Sequence, residues 1–269
     1  DNDIKTLTPD IIYEFFKLTG SNEKTNSNNQ MYKYKVHLRR FLNYLLALGK
    51  IDKEVVACIP DIKYIRNKKL PSVFTSDEIK RIVDSIDRNS AVGKRAYAMI
   101  MLSVKYGLRA GDVTNLKFEN IDWENRIIRI SQNKTKKIIE LPLLPEVGNA
   151  ILDYLKNARR KSSLPFIFLN INGPIHPITS QTFYGILNKY INKSSIEKLD
   201  KRHHGPHSLR HTLASQMLKN GEELTTISAT LGHSSTQVTT VYLSIDYLRL
   251  KECCIPMPKL YSPHYSLED

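Results

Sequence analysis

Between Tyr34 and Leu48 apolar residues recur at three- and four-residue steps, namely Tyr34, Leu38, Phe41, Leu45 and Leu48, which predicts an amphipathic helix over residues 28–49 with one apolar stripe. A shorter helix is predicted over residues 9–19. The two are separated by Ser21-Asn-Glu-Lys-Thr-Asn-Ser-Asn-Asn29, a polar stretch without an apolar anchor. Periodicity then fails over residues 60–75, where Pro60, Pro71 and four basic residues mark an interdomain linker. Thr75-Ser-Asp-Glu78 has the spacing of a capping box and opens a second module. In it, a helix over residues 94–106 leads into the glycine-bracketed turn Gly107–Asp112 and a further helix. Ile127–Ser131 and Lys137–Leu141 are isoleucine-rich and strand-like, joined through Asn133-Lys-Thr135 as a hairpin with Lys134 at its tip. Helical patterns return at 145–161, 179–193, 207–220, 223–231 and 235–243. The expected fold class is α+β, mainly α. A helical module (1–65) and a basic linker (66–74) precede a mixed α/β domain (75–246) with a small antiparallel sheet, followed by a tail (247–269).

Composition narrows the class of partner. Lys and Arg total 40 against 27 Asp and Glu, a formal charge of +13, and such an excess favours a polyanion, with nucleic acid first among them. The longest apolar run, Tyr97–Val104, is far below the roughly 20 residues of a membrane helix, and no signal-peptide pattern opens the chain. The three cysteines, Cys58 and the adjacent Cys253 and Cys254, have neither disulfide-framework nor CxxC spacing, so a reducing cytoplasm is expected. Asp1 in place of a methionine suggests that an upstream segment has been removed. In the helix 28–49, Lys33, Lys35, Arg39 and Arg40 lie off the apolar stripe. With Lys68 and Lys69 of the linker, they are the candidate DNA-contacting cations.

The chemistry gathers downstream. Pro206 pre-sets a helix start, and in His207-Ser-Leu-Arg210 the spacing of three puts imidazole and guanidinium on one helix face. Gly221 closes that helix. Leu231-Gly-His-Ser-Ser235 follows, and Tyr242 comes nine positions after His233. Upstream, Arg109 lies in Tyr-Gly-Leu-Arg-Ala-Gly-Asp-Val-Thr-Asn-Leu, with Asp112 three residues on. The histidines His203, His204, His207 and His211 invite a zinc reading. Gly205 and Pro206 break any helix from His203 to His207 and no cysteine joins the set, so no metal site is expected.

Taken together, these segments resemble the tyrosine recombinase/integrase family, whose signature is Arg, Lys, His-x-x-Arg, His or Trp, and Tyr in that order. The match covers residues 75–246, and the preceding helical part resembles the family's core-binding domain less specifically. The resemblance implies that Tyr242 is a nucleophile forming a 3′-phosphotyrosyl link. Tyr247, close by among the 14 tyrosines, is a decoy. It implies that Arg109 and Arg210 hold the charge that develops on the phosphate, and that His207 and His233 handle protons or hydrogen-bond its oxygens. Lys134 corresponds to the general acid of the hairpin, with Lys136 and Lys137 as alternatives, and Asp112 to an acidic brace.

Implied with these roles are strand exchange through a Holliday junction, no cofactor, and double-stranded DNA with specific recombination sites as the partner. The chain is expected as a free monomer and a homo-tetramer on DNA, with accessory directionality or bending proteins, in the cytoplasm with the nucleoid. A mobile-element integrase is the favoured role, and chromosome or plasmid resolution of the Xer type is the alternative. Rivals are a type IB topoisomerase and a non-catalytic DNA-binding regulator. The resemblance implies that the tail docks on a neighbouring protomer, and folding back on its own domain is the alternative.

Overall fold

A computed structural model of the chain describes residues 7–20, 28–64, 71–131, 138–197, 204–232 and 235–245. It divides into two compact units, Asp1–Lys69 and Leu70–Asp269.

The first unit has helices α1 (Pro9–Gly20), α2 (Asn28–Ala47) and α3 (Lys53–Ala57) around a core of Ile12, Phe16, Leu42, Leu45, Val55 and Ile59. The inward line of α2 is not the expected one. Phe41 and Leu48 are 49% and 53% exposed, whereas Leu42 is fully buried. At 3.6 residues per turn, positions 35, 38, 42 and 45 keep to one line, and Phe41 and Leu48 fall on its flank. This sets Lys35 apart from the other candidate DNA contacts on α2. Its ammonium is drawn inward, 2.5 Å from the Asp61 carboxylate and donating to the Ile62 carbonyl at 3.2 Å. Lys33, Arg39 and Arg40 are exposed. Lys68 and Lys69 lie outside the described residues.

In the second unit, α4 (Ser76–Asp84) starts with the capping box read from the sequence: the Thr75 side chain accepts from the Glu78 N–H, and the Glu78 carboxylate accepts from the Thr75 N–H. Phe74, which composition assigns to the linker, is buried in this unit's core, and its N–H donates to Thr212 Oγ1. The central helix α5 (Ala91–Tyr106) begins a turn earlier than its hydrophobic pattern suggests, because Ser90 caps it. Ala98 through Ser103 are all buried, the signature of a helix surrounded by others. Around it pack α4, α6 (Ala110–Thr114), α7 (Pro145–Asn157), α8 (Ser180–Lys193) and α9 (Pro206–Lys219); α10 (Leu224–Leu231) packs on α9.

The sheet is antiparallel in the order β1 (Ile121–Asp122), β2 (Ile127–Ser131), β3 (Ile138–Pro142). Pairing of Ile128 with Leu141 and of Ile130 with Ile139 turns one row of apolar side chains into the core. The strand β1 is too short to leave a periodic signal. The tip of the predicted hairpin, with Lys134, lies outside the described residues.

Two predicted helices end differently. α7 stops at Asn157 rather than 161 because Arg159 turns away to donate to the carbonyls of Leu164, Phe166 and Ile167, tying down the next loop. The segment read as a helix over 235–243 is a 3-10 helix, Thr236–Ile245.

Candidate active site

Glycine sets the geometry at the end of α5. Gly107 caps the helix in the left-handed region at φ 60°, which reverses the chain and leads through the buried Leu108 into Arg109 at the N-cap of α6. A Cβ on Gly107 would stand 3.0 Å from Leu231 Cδ2 and 3.1 Å from Leu213 Cδ2, so a side chain here would press on both leucines where α5, α9 and α10 meet. Asp112 lies one turn after Arg109, buried, with Oδ2 4.0 Å from the Arg109 guanidinium.

The start of α9 is held from α8. Gly205 has φ 147°, and the Tyr184 ring occupies the place a Cβ would take there, 2.6 Å away. The Tyr184 hydroxyl donates to the His204 carbonyl at 2.9 Å. Pro206 then begins the helix, leaving His207 exposed at its first turn. Arg109, Ser180, Gln181, Tyr184 and His207 line one surface cleft.

One turn into α9, Arg210 is 3% exposed. Its guanidinium donates from Nη1 to the Gly107 carbonyl at 2.8 Å and from Nη2 to the Leu231 carbonyl at 2.5 Å. These carbonyls end α5 and α10, whose partial negative charges suit a cation. Burial, and then the like charge of Arg109, lower the Arg210 pKa to about 10, while Tyr242 and Asp112 pull the other way. The side chain stays charged at neutral pH.

Tyr242 comes from the 3-10 segment and is 2% exposed, packed with Ala214, Leu218, Ile227 and Leu231. Burial raises its phenol pKa, and the charges of Arg210 and Arg109 work to lower it. His211 Nδ1 is 3.0 Å from the Tyr242 hydroxyl. The His211 pKa is lowered to about 4, first by burial and then by His207 and Arg210.

Five residues singled out in the sequence, Arg109, Asp112, His207, Arg210 and Tyr242, thus come together from α6, α9 and the 3-10 segment. Lys134 and His233 lie outside the described residues. Sequence reasoning missed His211 as part of this group. Its signal was the spacing of four from His207, which stacks the two rings with centroids 6.3 Å apart but was weighed only for metal binding. Among the described residues, no three His, Cys, Asp or Glu side chains cluster as a metal ion would require. Nor, among them, is any helix long and apolar enough to cross a membrane. What the arrangement offers is two guanidinium groups beside a phenol, a combination suited to an anionic phosphorus centre.

Comparison with known proteins agrees with that geometry. The model of the phage integrase family matches residues 72–249. A putative integrase/recombinase y4rA of Sinorhizobium fredii is 34% identical over 222 residues, covering 82% of this chain and 53% of the relative. Tyrosine recombinase XerD of Listeria innocua is 30% identical over 258 residues, covering 92% of this chain and 84% of the relative. The chain spans about half the length of the two Sinorhizobium relatives y4rA and y4rF.

Among solved structures, XerH site-specific recombinase bound to its difH substrate superposes with a TM-score of 0.69 at 21% identity, covering 93% of this chain and 69% of that one. The Tn1549 transposon integrase in complex with a circular intermediate DNA gives a TM-score of 0.65 at 20% identity, covering 92% and 86%. The fold is shared with both. With a family model over more than half its residues and a XerD relative matched along most of both chains, this chain belongs to the phage integrase family of tyrosine recombinases.

Proposed function

We propose that this chain cuts and rejoins DNA at specific sites through a covalent bond between Tyr242 and a backbone phosphate. The observation that carries the reading is the burial of the Tyr242 phenol in the field of Arg210 and Arg109. In cleavage the phenol oxygen bonds to phosphorus, the bond from phosphorus to the 5′-oxygen breaks, and the phenol proton passes to an imidazole. Lys134 returns a proton to the departing 5′-oxygen, and Lys136 and Lys137 are its alternatives. Arg109, Arg210, His207 and His233 hold the phosphate oxygens where charge accumulates, and Asp112 keeps Arg109 in place. The phosphotyrosyl link retains the energy of the phosphodiester, so rejoining needs neither nucleotide nor metal.

The first unit acts as a DNA-binding module through Lys33, Arg39 and Arg40, with Lys68 and Lys69 following it. The chain, a monomer when free, brings two duplex sites together as a homo-tetramer and exchanges strands through a Holliday junction, assisted by directionality or bending proteins. A mobile-element integrase is the favoured role, supported by relatives named as integrases. Resolution of chromosomes or plasmids is a second reading, favoured by the match to XerD along most of both chains.

The test is a trapping assay. Duplexes selected from random sequence by binding to the full chain, and nicked near the protected centre, should accumulate an SDS-resistant protein–DNA adduct with the wild type. Tyr242→Phe should form none, and an adduct persisting in that variant refutes the assignment. Relaxation of supercoiled DNA by a monomer without recombinant product would move the chain to the topoisomerase side.

A further inference from the structure

The chemistry proposed above leaves His211 without a role, although its imidazole lies within hydrogen-bond distance of the phenol. It follows His207 by four positions on α9, and its ring centroid lies 5.5 Å from that of Tyr242, with the planes inclined by 58°. The contact is made by Nδ1 at 3.0 Å from the hydroxyl oxygen. Burial and the neighbouring cations disfavour a charged ring, so at neutral pH His211 is neutral and one of its nitrogens is an acceptor. With the proton on Nε2, Nδ1 accepts from the phenol. The hydroxyl hydrogen then points at the imidazole. Ala214, Leu218, Ile227 and Leu231 pack around Tyr242 and offer shape. The Nδ1 contact adds direction at the hydroxyl.

We infer that His211 is a positioning residue for the nucleophile, holding the Tyr242 hydroxyl at a fixed orientation beside Arg210. The inference rests on the reading of Tyr242 as nucleophile. In this role His211 acts through the phenol. An imidazole this reluctant to take a proton serves as an acceptor that aims the phenol, and the phosphate chemistry is left to His207, His233 and the arginines.

His211→Leu removes the acceptor and keeps an apolar filling, whereas His211→Asn puts an amide oxygen close to the position of Nδ1. On the nicked selected duplex at saturating protein, His211→Leu should slow single-turnover adduct formation by roughly 10- to 100-fold, the range in which misplacement of a reacting group falls. His211→Asn should recover most of that loss, and both should bind the duplex like the wild type. Without DNA, NMR of protein labelled with [13Cζ]tyrosine gives a second readout, the Tyr242 resonance being the one missing from Tyr242→Phe. It should shift in His211→Leu and return toward the wild-type position in His211→Asn. Wild-type cleavage by His211→Leu, faster cleavage, or an unmoved resonance each overturn the inference, as does equal slowing in both variants. If the wild type itself makes no Tyr242-dependent adduct, the functional reading fails, and the resonances still decide whether His211 holds the phenol.

Discussion

Lys35 in the first unit and Arg210 in the second are both nearly buried cations, and they are held by opposite means. Lys35, on α2, meets a carboxylate, Asp61, so its charge is neutralised where it stands. Arg210, on α9, donates to two backbone carbonyls, which orient the guanidinium through their dipoles and carry no net charge. A cation fixed by dipoles remains available to a phosphate; one paired with a carboxylate is already spent on structure. The difference shows why burial alone does not mark a functional cation, and why the group opposite it matters.

The sharpest way to break the comparison is to remove the fork. Arg210→Ala takes away the charge that the proposed mechanism sets beside the reacting phosphorus, and adduct formation on the nicked duplex should fall by about 10²–10³-fold or more, as for other lost stabilisers of developing charge. Arg210→Lys should recover little of this, because a single ammonium cannot reach the Gly107 and Leu231 carbonyls as two parallel donors do. Recovery to wild-type rate by lysine would mean that charge without geometry suffices.

Next in size is the carbonyl frame itself. Gly107→Ala places a Cβ in the left-handed region, a cost of roughly 1–2 kcal/mol, and presses it against Leu213 and Leu231. Because the Gly107 carbonyl orients Arg210, thermal stability and adduct formation should fall together. A variant that loses stability while cleaving at the wild-type rate would separate the cap from the cation.

The same contrast explains what could be read from the sequence. Chain order and spacing carried Arg109, Asp112, His207, Arg210 and Tyr242, because a helix start at Pro206 and a glycine turn at 107 are local signals. The partners of those residues are not local: Gly107 lies 103 positions from Arg210, and His211 lies 31 from Tyr242. The stripe on α2 failed for a related reason. Its apolar residues outnumber those the small core of the first unit can cover, and only packing against α1 and α3 decides that Leu42 turns inward and Phe41 does not. The pairing of Lys35 was equally hidden, because nothing near it in sequence announces Asp61.

A smaller effect separates the buried imidazole from the carboxylates. His211 has its pKa lowered to about 4 from an ordinary 6.5, so between those values the unfolded chain holds a proton there that the folded chain does not. The native state is therefore unaffected above pH 6.5 and loses stability as the pH falls from 6.5 toward 4. His211→Asn should flatten the melting temperature across that window relative to the wild type. Below it, the depressed carboxylates Asp61, Asp122 and Asp153 should dominate in both proteins. Parallel curves between pH 6.5 and 4 would show that His211 is protonated in the folded state.

The smallest expected effect returns to Lys35. Its ammonium is bound to Asp61 and Ile62 within its own unit, so Lys35→Met, which keeps the length and the apolar stem, should leave affinity for a random-sequence duplex near the wild-type value. Arg39→Ala and Arg40→Ala remove exposed charges on the same helix. If those arginines contact the backbone, each should weaken binding evenly across sequences and lower the slope of log affinity against log salt by about 1, the signature of one lost phosphate contact. Filter binding between about 50 and 200 mM salt, the range in which counterion release is steep, resolves such a difference. A drop in slope for Lys35→Met equal to that of the arginines would show that the ammonium leaves Asp61 for DNA, and the contrast with Arg210 would then be one of resting state rather than of role.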